Sequence, residues 1–275
     1  MSFQTQSYSY CSTRFNTQFK NNFKAEARIN RILAFSDVIN WWFNEVEIHK
    51  LLVDKFQPDM VVLAGDLAFD GFAPFYWKDP LDELPKDEEF EKLRKKHVHG
   101  FYSFLFYAGK KSKVLVIKGN HDDDFEDGYS VKRINGIRGC TEVSGKIIEV
   151  RSITILGIPY NDAHNQRKLI RMSKNLAGKV DIVLMHGENV RLVSLLKPRL
   201  IIKRGGGTGV CLINDVPSVF TGPGSFSIIC FENKTIKKIS QYKLYFTFPS
   251  IGVKKMNLHM PAGYAEYKWV KPYKF

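Results

Sequence analysis

Long apolar runs are scarce in this 275-residue chain. None approaches the ~18 residues that a membrane-spanning helix needs, so no transmembrane segment is expected. The first 30 residues hold no apolar stretch closed by a small-residue cleavage site, which argues against a secretory leader. Cysteine is sparse too. Cys11, Cys140, Cys211 and Cys230 stand far apart and never form a Cys-x-x-Cys pair. That spacing argues against a cysteine-based zinc site and fits free thiols in a reducing, cytoplasmic compartment. There is no low-complexity tract and no internal repeat of about 20–50 residues. Hydrophobic residues make up 44% and charged residues 25%, so the chain is not expected to be largely disordered or fibrous.

Positive charge, in contrast, is abundant. The formal net charge is +13 and sits mostly at the ends: +4 over residues 1–31 and +7 over 232–275, leaving +2 for the 200 residues between. Basic ends attract polyanions. The C-terminal run from Tyr264 to Phe275 alternates rings with lysines, a mix that can stack on bases and hold phosphates or can pack as a strand. Solvated termini are the plainer reading of such charge.

Along the chain, residues 1–29 form a polar extension rich in Ser, Gln, Asn, Thr and Tyr. Buried strands are expected at Arg31–Ser36, Met60–Ala64, Lys113–Ile117, Asp181–Met185 and Arg199–Ile202, with a strand pair at 146–150 and 153–157. Helices are expected over Trp41–Phe56, before Pro58, and over Asn165–Leu176. Asp79–Glu91 reads as a loop that runs into a helix toward Tyr107. Strands then dominate at 218–220, 226–231 and 235–243. Early strand–helix alternation followed by clustered strands means an α/β fold, parallel at first and mixed or antiparallel later.

Five of these apolar strands end in polar groups: Asp37, Gly65-Asp66, Asn120-His121, His186 and the glycine run 205–209. Ligands of open α/β sheets sit beyond the carboxyl ends of the strands, so these tips are expected to share one crevice. Carboxylate, amide and imidazole suit Mn, Fe, Zn or Mg, and a pair of such ions clamps both oxygens of a phosphoryl transfer.

Gly65-Asp66, Gly119-Asn120-His121-Asp122, Met185-His186 and Thr221-Gly222-Pro223-Gly224-Ser225 follow in order. In this the chain resembles the calcineurin-like metallophosphoesterases over roughly residues 30–240. The resemblance implies a sandwich of two mixed β-sheets flanked by helices, occupying 30–245, with 246–275 as a basic, aromatic extension. It implies that Asp37, Asp66, Asn120 and His186 bind metal and that Asp66 bridges two ions. His121 would be the catalytic acid or steady the phosphate, and the substrate would be a phosphoester.

Two blocks depart from the family pattern. Asp37-Val38-Ile39 has isoleucine in place of the histidine of Asp-x-His, and Lys203-Arg204-Gly205-Gly206-Gly207 stands where Gly-His-x-His belongs. After His186 the chain has one histidine, His259. With three metal-binding histidines gone, the first ion keeps two carboxylates and the second keeps Asp66, Asn120 and His186, so zero or one ion is expected rather than two. Asp70, Asp122, Asp123, Asp124, Asn161, Asp162, His164 and Glu188 are substitute ligands to consider, although turn and surface roles are commoner for such residues. Arg204, with Lys203, can replace the lost positive charge, either holding a phosphate beside Asn120 or pairing with Asp37 or Asp66. The expected function is therefore a metal-dependent phosphomonoesterase or phosphodiesterase with a depleted site, mono-metal or inactive. The alternative is a non-catalytic binding or scaffold protein whose basic termini meet nucleic acid or a partner protein, without a membrane role.

Overall fold

A strand that is apolar at every position needs cover on both faces. Met60–Ala64 and Ile182–Met185 are buried throughout, and the fold supplies that cover in layers. The computed structural model describes residues 29–38, 45–67, 87–122, 128–163, 165–187, 189–204, 209–222, 225–232 and 235–243. Most of the polar N-terminal extension and all of the C-terminal extension lie outside them.

In chain order the described elements are β1 (Arg31–Phe35), α1 (Glu45–Phe56), β2 (Met60–Ala64), α2 (Asp87–Gly109), β3 (Lys113–Ile117), α3 (Val131–Asn135), β4 (Cys140–Glu142), β5 (Ile147–Val150), β6 (Ile153–Ile158), α4 (Tyr160–Ala163), α5 (Gln166–Leu176), β7 (Ile182–Met185), α6 (Val190–Leu196), β8 (Leu200–Arg204), β9 (Gly209–Ile213), β10 (Val216–Thr221), β11 (Ser225–Glu232) and β12 (Thr235–Lys243). They build two six-stranded sheets, ordered β12-β11-β1-β2-β3-β4 and β5-β6-β7-β8-β10-β9. In the first, β1 through β4 run parallel, β11 pairs antiparallel with β1, and β12 pairs antiparallel with β11. In the second, β6, β7, β8 and β10 run parallel, and β5 and β9 close the edges antiparallel. The expected sandwich of two mixed sheets with flanking helices is what the chain forms.

Strand alternation sorts the core into three layers. Ile32, Ala34, Met60 and Val62 meet Ile155, Ile182, Leu184, Leu200 and Ile202 between the sheets. Leu33, Phe35, Val61 and Leu63 face outward to Phe101, Phe104 and Leu105 of α2. Val183, Met185 and Ile201 face Leu192, Val193 and Leu196 of α6. Gln241 of β12 crosses from one sheet to the other, where its Nε2 donates to the Gly209 carbonyl at 2.6 Å and the Phe220 carbonyl at 3.1 Å.

Several segments differ from the sequence expectation. α2 starts at Asp87, inside the stretch read as loop, and the acidic Glu88 of its first turn favours the positive end of the helix dipole. β8 runs on to Arg204 because β10 pairs with it as far as Thr221 opposite Arg204. β9 grows out of the glycine run and returns to β10 through Asn214 and Asp215, whose φ values of 49° and 63° form the kind of turn that suits strand twist. The short elements β4, α3 and α6 occupy segments for which the sequence suggested no element. Residues 41–44, at the start of the first expected helix, lie outside the described residues.

Candidate active site

Parallel strands deliver their carboxyl ends to one edge, and both sheets do so on the same side. Asp37 lies two residues past β1, Asp66 two past β2, Asn120 three past β3 and His186 one past β7, while Arg204 ends β8. The tips are drawn together by close backbone contacts. The Asp37 amide donates to the Gly65 carbonyl at 3.0 Å, and the His121 amide donates to Asp66 Oδ1 at 3.0 Å. Asp37 and Asp66 both adopt left-handed backbone, with φ of 49° and 55°. Asp tolerates that region better than bulky residues do. Gly65 and Gly119 leave room for the approach: a Cβ on Gly65 would strike His186, and one on Gly119 would strike Asp66.

His186 is fully buried and held at both nitrogens. Nδ1 lies 2.7 Å from the Ala64 carbonyl and so carries a hydrogen that it donates there. Nε2 faces Asn120 Oδ1 at 3.0 Å and Asp66 Oδ2 at 3.3 Å. Burial opposes a charged ring, but the Asp66 hydrogen bond and charge prevail and raise the His186 pKa. Asp66 responds in the opposite direction. Burial would lift its pKa, but His186 and the His121 amide hold it below the ordinary carboxylate value.

Asp37 has a different environment. Arg204 Nε donates to Oδ1 at 2.9 Å, and Ser36 Oγ donates to Oδ2 at 2.8 Å. Burial still outweighs the guanidinium, so the Asp37 pKa is pushed up to about 6. Ser36 Oγ also lies 2.6 Å from the Thr221 carbonyl, which docks the closing turn after β10 onto the first strand tip.

Alternation along β8 separates the two cations there. Ile202 faces the other sheet, so Arg204 turns toward the crevice. Lys203 turns to the opposite face, where its Nζ lies 4.4 Å from the centroid of the Phe220 ring. The expectation that both stand at the crevice is corrected for Lys203.

Asp122 is not a ligand candidate in this arrangement. It is buried, and its carboxylate accepts the backbone N–H groups of Asp66 at 3.0 Å, Leu67 at 2.6 Å and Gly119 at 2.6 Å. It therefore locks the tips of β2 and β3 together from behind. Its place three residues after Gly119 hints at a turn role but not at these three bonds. Asp162 is engaged by Lys168 at 2.7 Å and Asn161 is exposed on α4. Asp70, Asp123, Asp124, His164 and Glu188 lie outside the described residues.

The family's divalent ions can be tested against these donors. Two ligands about 2.1 Å from one ion at near right angles lie about 3 Å apart, which matches the distances from His186 Nε2 to Asn120 Oδ1 and to Asp66 Oδ2. His186 Nδ1–H on the Ala64 carbonyl also leaves Nε2 as the ligating atom once its proton is displaced. One oxygen–oxygen–nitrogen site therefore fits. A site on Asp37 does not fit, because the Arg204 guanidinium already sets a positive charge against its carboxylate.

The family model of the calcineurin-like phosphoesterases matches residues 30–250. The chain belongs to that family. A search of curated protein sequences returns no match. Among solved structures, the protein TT1561 of Thermus thermophilus is similar at 14% identity and a TM-score of 0.53, covering 78% of this chain and 99% of its own. A dimetal phosphatase from Danio rerio is similar at 9% identity and a TM-score of 0.51, covering 78% of this chain and 95% of its own. Such distant likeness supports the fold alone.

Proposed function

We propose that the protein is a phosphoester hydrolase that works with one divalent cation (Mn, Fe, Zn or Mg) and uses Arg204 where a second cation would otherwise serve. The observation that carries this reading is the Arg204–Asp37 pair beside an intact Asp66–Asn120–His186 cluster. The bound ion would supply Lewis-acid polarisation of the phosphoryl group and a more acidic water. Asp66, Asn120 and His186 hold it. Arg204 keeps Asp37 in place and presents its remaining guanidinium N–H groups to a phosphate oxygen, a role suited to a planar cation of fixed charge. His121 follows Asn120 at the rim and gives the proton to the departing oxygen. Asn120 contributes to both metal and substrate binding.

The decisive experiment combines calorimetric titration with Mn²⁺ and hydrolysis of an aryl phosphate mono- or diester. One bound ion is expected, with binding lost in Asp66→Ala and His186→Ala and turnover falling at least ~10²-fold. Arg204→Met is expected to raise KM for the ester while one ion still binds. Two ions in the wild type, or ester turnover unchanged in Asp66→Ala, overturns the reading.

A further inference from the structure

Outside the crevice, the sequences of α5 and α6 on the second sheet carry charge of one sign. On α5, Arg167, Arg171 and Lys174 are exposed and stand at i, i+4 and i+7, so they form one stripe along the helix. Ser173 is buried and Leu176 packs on the core below, so this side of the helix turns inward. The neighbouring α6 adds exposed Arg191 in its first turn. From Asn165 to Leu196 the only acid among the described residues is Asp181, and it is engaged by Arg199 at 3.2 Å and by the Thr154 amide at 2.9 Å. The other described ion pair of this region, Lys168–Asp162, lies at the crevice end.

Direction links this stripe to the crevice. β6 and β7 point their carboxyl ends at the crevice, so α5 and α6 both start there and run away from it. Asn189, the N-cap of α6, ties these starts together by donating from Nδ2 to the Ala163 carbonyl at 2.9 Å. Tyr160 opens α4 at the same edge, with its ring edge-on to His186 at 6.0 Å between centroids. Tyr160 thus lies beside the crevice, on the short helix that leads into α5. From Arg167 to Lys174 the helix rises about 10 Å, so its three cations stand about 5 Å apart along the axis, comparable with neighbouring phosphates of an unstacked single strand.

We infer that Arg167, Arg171, Lys174 and Arg191 form a track for the backbone phosphates of a single-stranded nucleic acid, which enters the crevice past Tyr160. The inference rests on the phosphoesterase reading for the crevice and names its substrate class. A membrane surface is the weaker partner, because a helix lying in lipid needs an unspent apolar face and α5 uses its own on the core. A strand held by stacking and charge calls for aromatic and basic groups together, as here.

The test is fluorescence anisotropy of a labelled 20-nucleotide oligothymidine on the full chain, in EDTA and at several salt concentrations. Arg167→Glu/Arg171→Glu/Lys174→Glu is expected to weaken binding at least tenfold and to flatten the slope of log K against log salt by about 2, at ~0.7 per lost contact. The charge-matched control Lys92→Glu/Lys95→Glu/Lys96→Glu on exposed α2 is expected to retain most of the affinity, with melting curves confirming that both variants fold. Tyr160→Ala is expected to weaken binding several-fold with the salt slope unchanged. An unchanged affinity in the α5 variant, an equal loss in the α2 control, or binding to phosphatidylserine vesicles but not to the oligonucleotide overturns the inference. Anisotropy in EDTA needs no hydrolysis, so loss of the phosphoesterase reading and loss of the track are told apart.

Discussion

At the scale of single residues, Asp122 shows how much of an active site lies behind it. Its two oxygens accept three buried backbone N–H groups from the segments that carry Asp66 and Gly119. Asp122→Ala strands those donors without water, at a cost of about 3 kcal/mol or more. Urea unfolding should show that loss, and Mn²⁺ affinity should fall with it because Asp66 is no longer held. Wild-type stability in Asp122→Ala would refute the assignment. Gly119→Ala makes a narrower point. The added methyl would collide with Asp66, so the β2 and β3 tips must part. Cation binding is expected to drop at least ~10-fold, read by titration calorimetry, even where the fold survives. Asp66, Asn120 and His186 were legible in the sequence because each follows an unbroken apolar strand, and their convergence is a consequence of parallel pairing. The role of Asp122 was not, because a carboxylate in a run of three aspartates looks solvated until the facing amides are known.

At the scale of elements, His97 couples α2 to the loop after β2. It is fully buried, its Nε2 lies 3.1 Å from the Leu67 carbonyl, and burial lowers its pKa to about 4. The unfolded chain therefore binds this proton more readily than the folded one. The stabilising contribution is complete above about pH 6.5 and is lost as pH falls toward 4, by about 3 kcal/mol in all. His97→Gln, which keeps a donor for Leu67, should show a flatter unfolding free energy between those pH values; an identical pH slope in both proteins would refute this. The elements themselves were unevenly legible. Met60–Ala64 and Lys113–Ile117 were readable to the residue, being apolar runs bounded by turn-forming and charged residues. β4 is only Cys-Thr-Glu and takes its strand character from pairing with β3. α6, seven residues of mostly aliphatic sequence, carries no periodicity that separates helix from strand. β9 follows a glycine run and is only five residues long, and it is ordered by pairing with β10.

At the scale of the whole molecule, the two sheets are joined by an apolar middle layer and by a few cross-sheet polar contacts. Gln241 is one such contact, and Arg151 is another, its Nη1 reaching Asp59 Oδ1 at 3.1 Å. Gln241→Leu leaves two carbonyls without this donor and is expected to cost about 1–2 kcal/mol. Hydrogen exchange should then quicken in β9 and β10 before it does in β2 or β3. Uniform protection across both sheets would refute that role.

The donors of the crevice are divided between these sheets: Asp66 and Asn120 come from one, His186 from the other. A cation seated among them is thus a clasp across the layers, and it can exist only while the layers are docked. Saturating the site at a hundredfold excess over Kd should add about 2.7 kcal/mol to the unfolding free energy. Scanning calorimetry can therefore rank candidate ions for this crevice before any substrate has been chosen.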